Sequence, residues 1–350
     1  MKKMKRILAL LMVGASLLGL TACGGDDSGT QEGGSTGEES AEKIVIQAGY
    51  GNNPGEPTDL AMQRWAELLK ERSGGTMELE LFPSSQLGSQ GDLTEQIVMG
   101  EPIICISDAS FLAEYGAPEI AIASFPYIYN SWDECWKLID TDWWAEQEAL
   151  LAENGIHILT ANWAYGERNL MTTRPVYTLE DMQGLIVRTP TTPSYMKAFE
   201  LMGAAPTAIA LGDVYTATQQ GTVEGMENPM ATLYGQAYYE VAKYITMTAH
   251  VKMPIQWITN EDFFQSLTPE QQQWLCETGD EAGLYNNQLQ DEMLEQYISD
   301  MEANGVTIID LSDKERAKFA EACNALYEDP DITAGWRDDL HGYIRSLLEA

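Results

Sequence analysis

Positive charge is scarce in this chain of 350 residues, which carries 20 lysines and arginines against 54 aspartates and glutamates. The formal net charge of −34 at pH 7 would repel a phosphate backbone, so nucleic acid is excluded as a partner. An anionic ligand would need a local cationic site strong enough to overcome the field of the whole protein.

Histidine is rarer still, with three residues, and none of them lies in a pattern typical of a nucleophile or a metal site. The sequence contains no HExxH, no P-loop and no GxGxxG after a predicted strand. His157, within Gly-Ile-His-Ile, is better explained as a packed strand residue than as a base. We therefore predict no catalytic residue, no metal site and no cofactor, although an extracellular enzyme acting on sugar acids stays open as an alternative.

Cysteine supplies five residues and no CxxC pair. Cys105 lies in an apolar run and Cys135 lies beside Trp136. We interpret these two residues, together with Cys276 and Cys323, as free thiols in the fold, although the sequence does not exclude a disulfide.

Long apolar runs are absent after residue 20. Ile7 to Leu20 would rise only ~21 Å as a helix, less than the ~30 Å hydrocarbon core, and basic residues precede it, so it is typical of a signal peptide. Leu20-Thr-Ala-Cys23-Gly resembles a bacterial lipobox; the alternative is an ordinary cleavage site beside an incidental cysteine. We predict that residues 1–22 are a lipoprotein signal peptide, that acylated Cys23 anchors the protein to a bacterial membrane, and that residues 23–42 are a flexible linker.

Apolar and amphipathic segments alternate from residue 43 onwards. The pattern predicts strands over 43–49, 77–82 and 103–106, with helices over 56–72 and 92–99 between them. Further strands are predicted over 156–159, 185–188, 246–250 and 256–259. This order is typical of an α/β fold with two lobes that close on a ligand, and we assign residues 43–165 plus about 252–290 to lobe I and residues 166–251 plus about 291–350 to lobe II.

One segment predicts an unusually long helix. Pro269 follows Thr268 at a favourable first-turn position, and no other proline occurs before Pro330. A single helix over 269–304 would be about 54 Å long and would span both lobes, with Gly279 and Gly283 as candidate kink points. Two shorter helices are the alternative.

Scarce arginines are the best candidates for binding an anion. Arg188 ends a predicted strand, and the carboxyl end of a strand faces the cleft of an α/β lobe. Its planar guanidinium matches a carboxylate with two parallel hydrogen bonds, which a lysine does not. Arg168 is a second candidate. For either arginine, a surface ion pair is the alternative interpretation.

Several motifs occur in a fixed order along the chain. They are Phe82 to Gly88 (FPSSQLG), Gly166-Glu-Arg168, Asp181 to Pro190, Gly203 to Pro206 (GAAP), Gly212 to Pro229, and Tyr238 to His250. Together they resemble the substrate-binding subunits of tripartite ATP-independent periplasmic (TRAP) transporters, the DctP-like family. The resemblance implies an extracytoplasmic, periplasmic-binding-protein-like clamshell with no enzymatic activity. It would deliver a small organic acid, a dicarboxylate or a sugar acid, to small and large integral membrane subunits; an ABC-type solute-binding lipoprotein is the alternative.

The resemblance also implies roles for individual residues. Arg188 would form the carboxylate clamp, while Arg168 and Asn228 would approach the ligand. Asp108 follows the third strand and Asn52 the first, so both are expected at the cleft. The family's aromatic position before its "EVY" motif is occupied here by Leu211-Gly212, and among Trp163, Tyr165, Tyr215 and Tyr234 we expect Trp163 and Tyr215 to supply this wall. The identity of the acid stays open.

Overall fold

Strands and helices alternate along residues 43–349, the part of the chain that the computed structural model describes. The strands are β1 (Ile44–Gly49), β2 (Met77–Phe82), β3 (Ile103–Ser107), β4 (Ile156–Thr172), β5 (Ile186–Thr189), β6 (Ala205–Ala208), β7 (Gly225–Pro229), β8 (Tyr244–Asn260) and β9 (Thr307–Asp310). The helices are α1 (Pro57–Arg72), α2 (Gln90–Val98), α3 (Ala109–Leu112), α4 (Trp132–Ile139), α5 (Asp142–Glu153), α6 (Pro193–Leu201), α7 (Val214–Gln219), α8 (Met230–Gly235), α9 (Glu261–Ser266), α10 (Pro269–Ala303), α11 (Asp313–Cys323) and α12 (Leu340–Glu349).

All nine strands of the described residues form one mixed sheet, in the order β2-β1-β3-β8-β4-β7-β5-β6, with β9 also pairing with β8. Strand β1 is parallel to β2 and β3, and β5 is parallel to β6 and β7. Between these two parallel groups, β8 and β4 run antiparallel to each other and to β3 and β7. The two long strands therefore link two α/β halves, and the α/β clamshell prediction is confirmed.

Both long strands differ from their sequence-based predictions. The predicted strand over 156–159 is only the start of β4, and the predicted strands over 246–250 and 256–259 are parts of β8, each strand being 17 residues long. Four register shifts interrupt the β4–β8 pairing, for example between Ala164 and Gly166. Each shift breaks the strict alternation of apolar and polar side chains by which a strand is recognised in sequence.

Helix α10 confirms the prediction of a single long helix, since it runs for 35 residues, or about 52 Å, without interruption. Pro269 is its first residue, and the side chains of Thr268 and Gln271 cap each other's backbone N–H groups. A Cβ atom added to Gly279 would lie 2.8 Å from Cζ2 of Trp65, and one added to Gly283 would lie 2.7 Å from Cδ1 of Trp163. These glycines let the helix approach the tryptophans closely.

The described residues, 43–349, belong to one compact unit through which the sheet is continuous. The lobe boundaries drawn from the sequence stay a prediction. The four cysteines of the described residues, Cys105, Cys135, Cys276 and Cys323, are free, as the sequence favoured. Within the same part of the chain, no helix is both long and apolar enough to cross a bilayer. The predicted signal peptide, lipidated Cys23 and linker lie outside the described residues.

Candidate ligand-binding cleft

A cavity opens at the carboxyl ends of the parallel strands, where ligands of open α/β sheets bind. The space free of protein atoms in it, its open mouth included, is about 770 Å³. Five of the seven predicted ligand-binding residues line it. They are Asn52 after β1, Asp108 after β3, Arg168 in β4, Arg188 in β5 and Asn228 in β7.

Arg188 is buried, with 4% of its surface exposed, yet it pairs with no carboxylate of the described residues. Its Nε donates a hydrogen bond of 2.8 Å to the carbonyl oxygen of Ile209, and its two terminal nitrogens have no protein acceptor in the same part of the chain. Burial lowers the pKa of Arg188 below its ordinary value, although an arginine remains charged. An uncompensated guanidinium therefore lies at the wall of the cavity.

Arg168 has a different environment, because the buried carboxylate of Glu227 neutralises it. Its Nε and Nη2 both donate to this carboxylate, with Nη2 lying 2.6 Å from Oε1, and Nη2 also lies 3.0 Å from the Glu227 carbonyl oxygen. His250 also contacts Glu227, with Nε2 3.1 Å from Oε2. The pairing follows from the sheet, since β4 and β7 are neighbours and Arg168 lies opposite Pro229.

The contacts between Arg168, Glu227 and His250 explain the pKa shifts of Glu227 and Arg168. Burial opposes ionisation of Glu227, but the Arg168 charge and the hydrogen bond with His250 outweigh it and hold the pKa of Glu227 at about 2. Burial likewise acts to lower the pKa of Arg168, and the Glu227 charge reverses this and raises the pKa above its ordinary value. Near neutral pH, Arg168 therefore adds hydrogen-bonding groups to the cleft but little net charge.

Besides the terminal nitrogens of Arg188, two buried polar atoms on lining residues have no hydrogen-bond partner among residues 43–349. They are Nδ2 of Asn228, a donor, and Oγ of Ser107, a donor and acceptor. Buried polar atoms in folded proteins are almost always paired. A bound molecule that carries hydroxyl and carboxylate oxygens can supply both partners.

Asp108 places a carboxylate on the side of the cavity formed after β3. Its Oδ1 caps α3 by accepting from the backbone N–H of Ser110 at 2.9 Å and from the Ser110 hydroxyl. Its Oδ2 has only a 3.4 Å contact with Nε2 of Gln90, so it retains acceptor capacity. This side of the cleft suits a hydroxyl donor and would repel a second ligand carboxylate.

Trp163 and Tyr215, the other two predicted residues, do not line the cavity. Trp163 is fully buried in the core beneath α10 and donates from Nε1 to the carbonyl oxygen of Gly279 at 3.0 Å. The hydroxyl of Tyr215 donates to Glu240 at 2.7 Å. The aromatic side chains that line the cavity are Phe111 and Tyr165.

Sequence reasoning missed Glu227 altogether, although it lies next to Asn228 in the quoted motif. Its role depends on Arg168, which is 59 residues away and adjacent only through sheet pairing. Ser107, Gln90 and Met253 were also missed as lining residues. No group of three or more metal-binding side chains occurs among residues 43–349.

An α/β clamshell with a buried, unpaired guanidinium in its cleft defines a solute-binding protein for anionic ligands. The profile described as "Bacterial extracellular solute-binding protein, family 7" (DctP) matches residues 48–331, and the chain belongs to this family. Its members are the extracytoplasmic solute-binding proteins of TRAP transporters, which confirms the resemblance and favours it over the ABC-type alternative.

Proteins with known ligands are similar to this chain over most of its length. A TRAP periplasmic solute-binding protein from Ochrobacterium anthropi with bound L-fuconate is 37% identical with a TM-score of 0.83, covering 87% of this chain and 99% of its own. One from Actinobacillus succinogenes with bound L-galactonate is 33% identical, with the same TM-score and coverage. The 2,3-diketo-L-gulonate-binding periplasmic protein of Escherichia coli is 29% identical over 79% of this chain and 84% of its own length.

Proposed function

We propose that this TRAP solute-binding protein captures a polyhydroxy monocarboxylate, an aldonate or uronate, and delivers it to the small and large membrane subunits of its transporter. The observation that carries the proposal is the contrast between the two cleft arginines. Arg188 has no carboxylate partner, whereas Arg168 is neutralised by Glu227. One uncompensated positive charge matches one ligand carboxylate.

The remaining lining groups favour hydroxyls over a second carboxylate. Asp108 offers an acceptor, and Ser107 and Asn228 offer unpaired polar atoms. No further arginine or lysine lines the cavity among the described residues, so a C4-dicarboxylate would leave one carboxylate unpaired beside Asp108. The aldonates bound by two relatives have the chemistry that this arrangement suits.

In the bound state, Arg188 donates two parallel hydrogen bonds to the ligand carboxylate, Asn228 orients a neighbouring oxygen, and Asp108 and Asn52 contact hydroxyl groups. Water leaves the cleft as the ligand fills it. The charge-assisted bonds become stronger in the less polar surroundings.

A thermal-shift and calorimetry screen tests the proposal, with L-fuconate, L-galactonate, galacturonate, sn-glycerol 3-phosphate, succinate and the uncharged L-galactono-lactone as ligands. We expect one or more sugar acids to stabilise the protein, by about 2.7 kcal/mol at a ligand concentration of 100 Kd, and succinate and the lactone to have little effect. Preferential binding of succinate would contradict the assigned ligand class.

Substitution of Arg188, the proposed carboxylate clamp, tests its role in ligand binding. Arg188→Ala should abolish the ligand-induced shift while the ligand-free protein stays folded, and Arg188→Lys should restore only part of it because the planar fork is lost. Arg174→Ala, at a half-exposed arginine 3.9 Å from Glu224, should bind as the wild type does. Wild-type affinity in Arg188→Ala would remove this residue from the site.

The proposal includes membrane attachment through Cys23 after removal of residues 1–22, on the sequence evidence alone. Two or more acyl chains on one residue suffice for stable anchoring. Mass spectrometry of the mature N-terminus tests this step. A mature protein that begins at another residue, or an unmodified Cys23, would contradict it.

A further inference from the structure

Glu56 is a buried carboxylate that lies outside the cavity lining, with 3% of its surface exposed. It immediately precedes α1, in the loop that follows β1. Its Oε2 accepts a 2.7 Å hydrogen bond from Nδ2 of Asn52, which lines the cavity, and its Oε1 accepts a 2.8 Å bond from the backbone N–H of Asn53. Glu56 therefore orients a residue of the proposed site.

The same loop contacts the end of α8, from the other half of the sheet. Nε2 of Gln236 lies 3.4 Å from Oε1 of Glu56 and 3.1 Å from the carbonyl oxygen of Gly51, and Asn53 donates to the carbonyl oxygen of Gly235 at 3.0 Å. Strands β3, β8 and β4 separate β1 from β7, which leads into α8. These hydrogen bonds therefore join the two halves beside the cleft.

Gly235 makes this contact possible. A Cβ atom there would lie 2.4 Å from Cγ of Glu56, far inside contact distance. Gly235 is the last residue of α8 and does not have a positive φ, so its own backbone conformation accepts alanine. The close approach of Glu56, and not the helix, requires glycine at this position.

We propose that Glu56 is a positioning residue that fastens the cleft in its closed form, by holding Asn52 and packing against Gly235 and Gln236 when the two halves meet around a ligand. The proposal rests on the proposed function, because closure matters only if the cavity takes a ligand. Opening the cleft would break the contacts with α8 and admit water to the Glu56 carboxylate.

The charged and titratable groups around Glu56 set the direction of a pH effect. Asp59 of α1 is the nearby charged group, while Tyr165 of β4, Tyr238 after α8 and Tyr297 of α10 face Glu56 as neutral phenols. Burial, reinforced by Asp59, raises the pKa of Glu56 to about 7, and the hydrogen bonds from Asn52 and Asn53 oppose this rise.

In an open, hydrated form the pKa of Glu56 would return toward its ordinary value of 4.5. The closed form then binds the proton more tightly than the open form. Closure, and with it ligand affinity, should strengthen as the pH falls below about 7 and weaken as the pH rises through that value.

A double-mutant cycle of Gly235→Ala and Glu56→Ala in the full chain tests the contact, with the best acid from the screen as the ligand. We expect Gly235→Ala to raise Kd about tenfold or more, mainly through faster dissociation, because the added methyl group overpacks only the closed form. In the Glu56→Ala background, which lacks Cγ, Gly235→Ala should have no further effect. Ser299→Ala, at an exposed position of α10 outside the cavity lining, is the control and should bind as the wild type does.

The melting temperature of the ligand-free variants separates closure from general stability. If Gly235→Ala lowers this temperature markedly, or weakens binding equally in both backgrounds, the contact is a permanent structural one and the proposal is overturned. A wild-type protein that binds none of the acids would contradict the proposed function instead. Binding by the wild type with unchanged affinity in both single variants would contradict the Glu56 contact alone.

Measuring Kd at several pH values, for the wild type and for Glu56→Gln, separates the titration of Glu56 from its packing. The wild-type Kd should rise several-fold between about pH 6 and pH 8, whereas that of Glu56→Gln should stay constant over the same range. An equal pH dependence in the two proteins would assign it to another group and overturn the role of Glu56 in closure.

Discussion

At the scale of single residues, two buried carboxylates near the cleft have opposite pKa shifts. Glu227 is adjacent to the Arg168 guanidinium, and its pKa is about 2 although burial favours the neutral form. Glu56 has amide donors but no cation from residues 43–349 beside it, and burial raises its pKa to about 7. A charged partner, and not burial alone, therefore decides whether a buried carboxylate of this chain remains ionised.

Replacing Glu227 tests this argument. Glu227→Gln keeps the shape of the side chain but leaves the Arg168 charge buried without a counter-charge, and we expect the free energy of unfolding to fall by about 3–5 kcal/mol. Glu67→Gln is the control, since the exposed Arg64–Glu67 pair, at 3.3 Å, should contribute at most about 1 kcal/mol. Urea denaturation measures both; a change below about 1 kcal/mol for Glu227→Gln would contradict the pairing.

The pH dependence of the same variant gives a second measurement. A carboxylate with a depressed pKa stabilises the fold above its ordinary pKa, and this contribution is lost as the pH falls from 4.5 to about 2. The stability difference between wild type and Glu227→Gln should therefore shrink over that range. A constant difference down to pH 2 would show that Glu227 is not the titrating group.

Arg188 lines the cavity, at the place where the sequence led us to expect it, whereas Glu227 was not foreseen. The position of Arg188 could be predicted because it both ends a predicted strand and lies in a family motif. The position of Glu227 beside Arg168 depends on which strand pairs with β4, and that pairing joins residues far apart in sequence. Trp163 was misplaced for a related reason, because its contacts with Trp65 and Trp257 arise only in the folded core.

At the scale of secondary-structure elements, α10 shows that glycine inside a helix can serve packing. Gly279 and Gly283 each lower helix propensity by about 1 kcal/mol relative to alanine. Both lie where a Cβ would collide with a tryptophan of the core. The loss of propensity is therefore offset by the burial of α10 against Trp65 and Trp163.

Gly279→Ala should destabilise the protein even though alanine favours the helix. We expect a loss of about 1–3 kcal/mol from overpacking against Trp65. Ser299→Ala, at an exposed position of the same helix, should be neutral or slightly stabilising. The two unfolding free energies are compared by urea denaturation, and a Gly279→Ala variant as stable as the wild type would show that α10 can shift away from the core without loss.

Strong local signals allowed most elements to be predicted. Strand β2 has the predicted bounds, and α10 begins at its predicted capping position. The full extent of β4 and β8 could not be predicted, because their bulges follow from pairing with distant strands. One register shift lies between Thr160 and Trp163, so the misplacement of Trp163 shares its cause with the error in the extent of β4.

At the scale of the whole molecule, the charge of the protein opposes the charge of its proposed ligand. The net charge of −34 generates a repulsive field at long range, whereas the Arg188 guanidinium attracts the carboxylate at short range inside the cleft. Salt screens the long-range field more effectively than the buried contact. The association rate constant should therefore rise with added salt, whereas a rate that depends on long-range attraction would fall.

We expect the association rate constant for a sugar acid to rise about two- to threefold between ~0.01 M and ~0.1 M ionic strength, as the Debye length shortens from ~30 Å to ~10 Å. The dissociation rate constant should change less, since contacts within the cleft determine it. Stopped-flow binding measures both rate constants.

A variant carrying Glu295→Lys and Glu302→Lys, at exposed positions of α10 outside the cavity, changes the net charge from −34 to −30 and should bind faster at low salt with a weaker salt dependence. A wild-type association rate that instead falls with added salt would mean that the potential of the cleft already dominates at long range, and that the acidic surface has no part in capture.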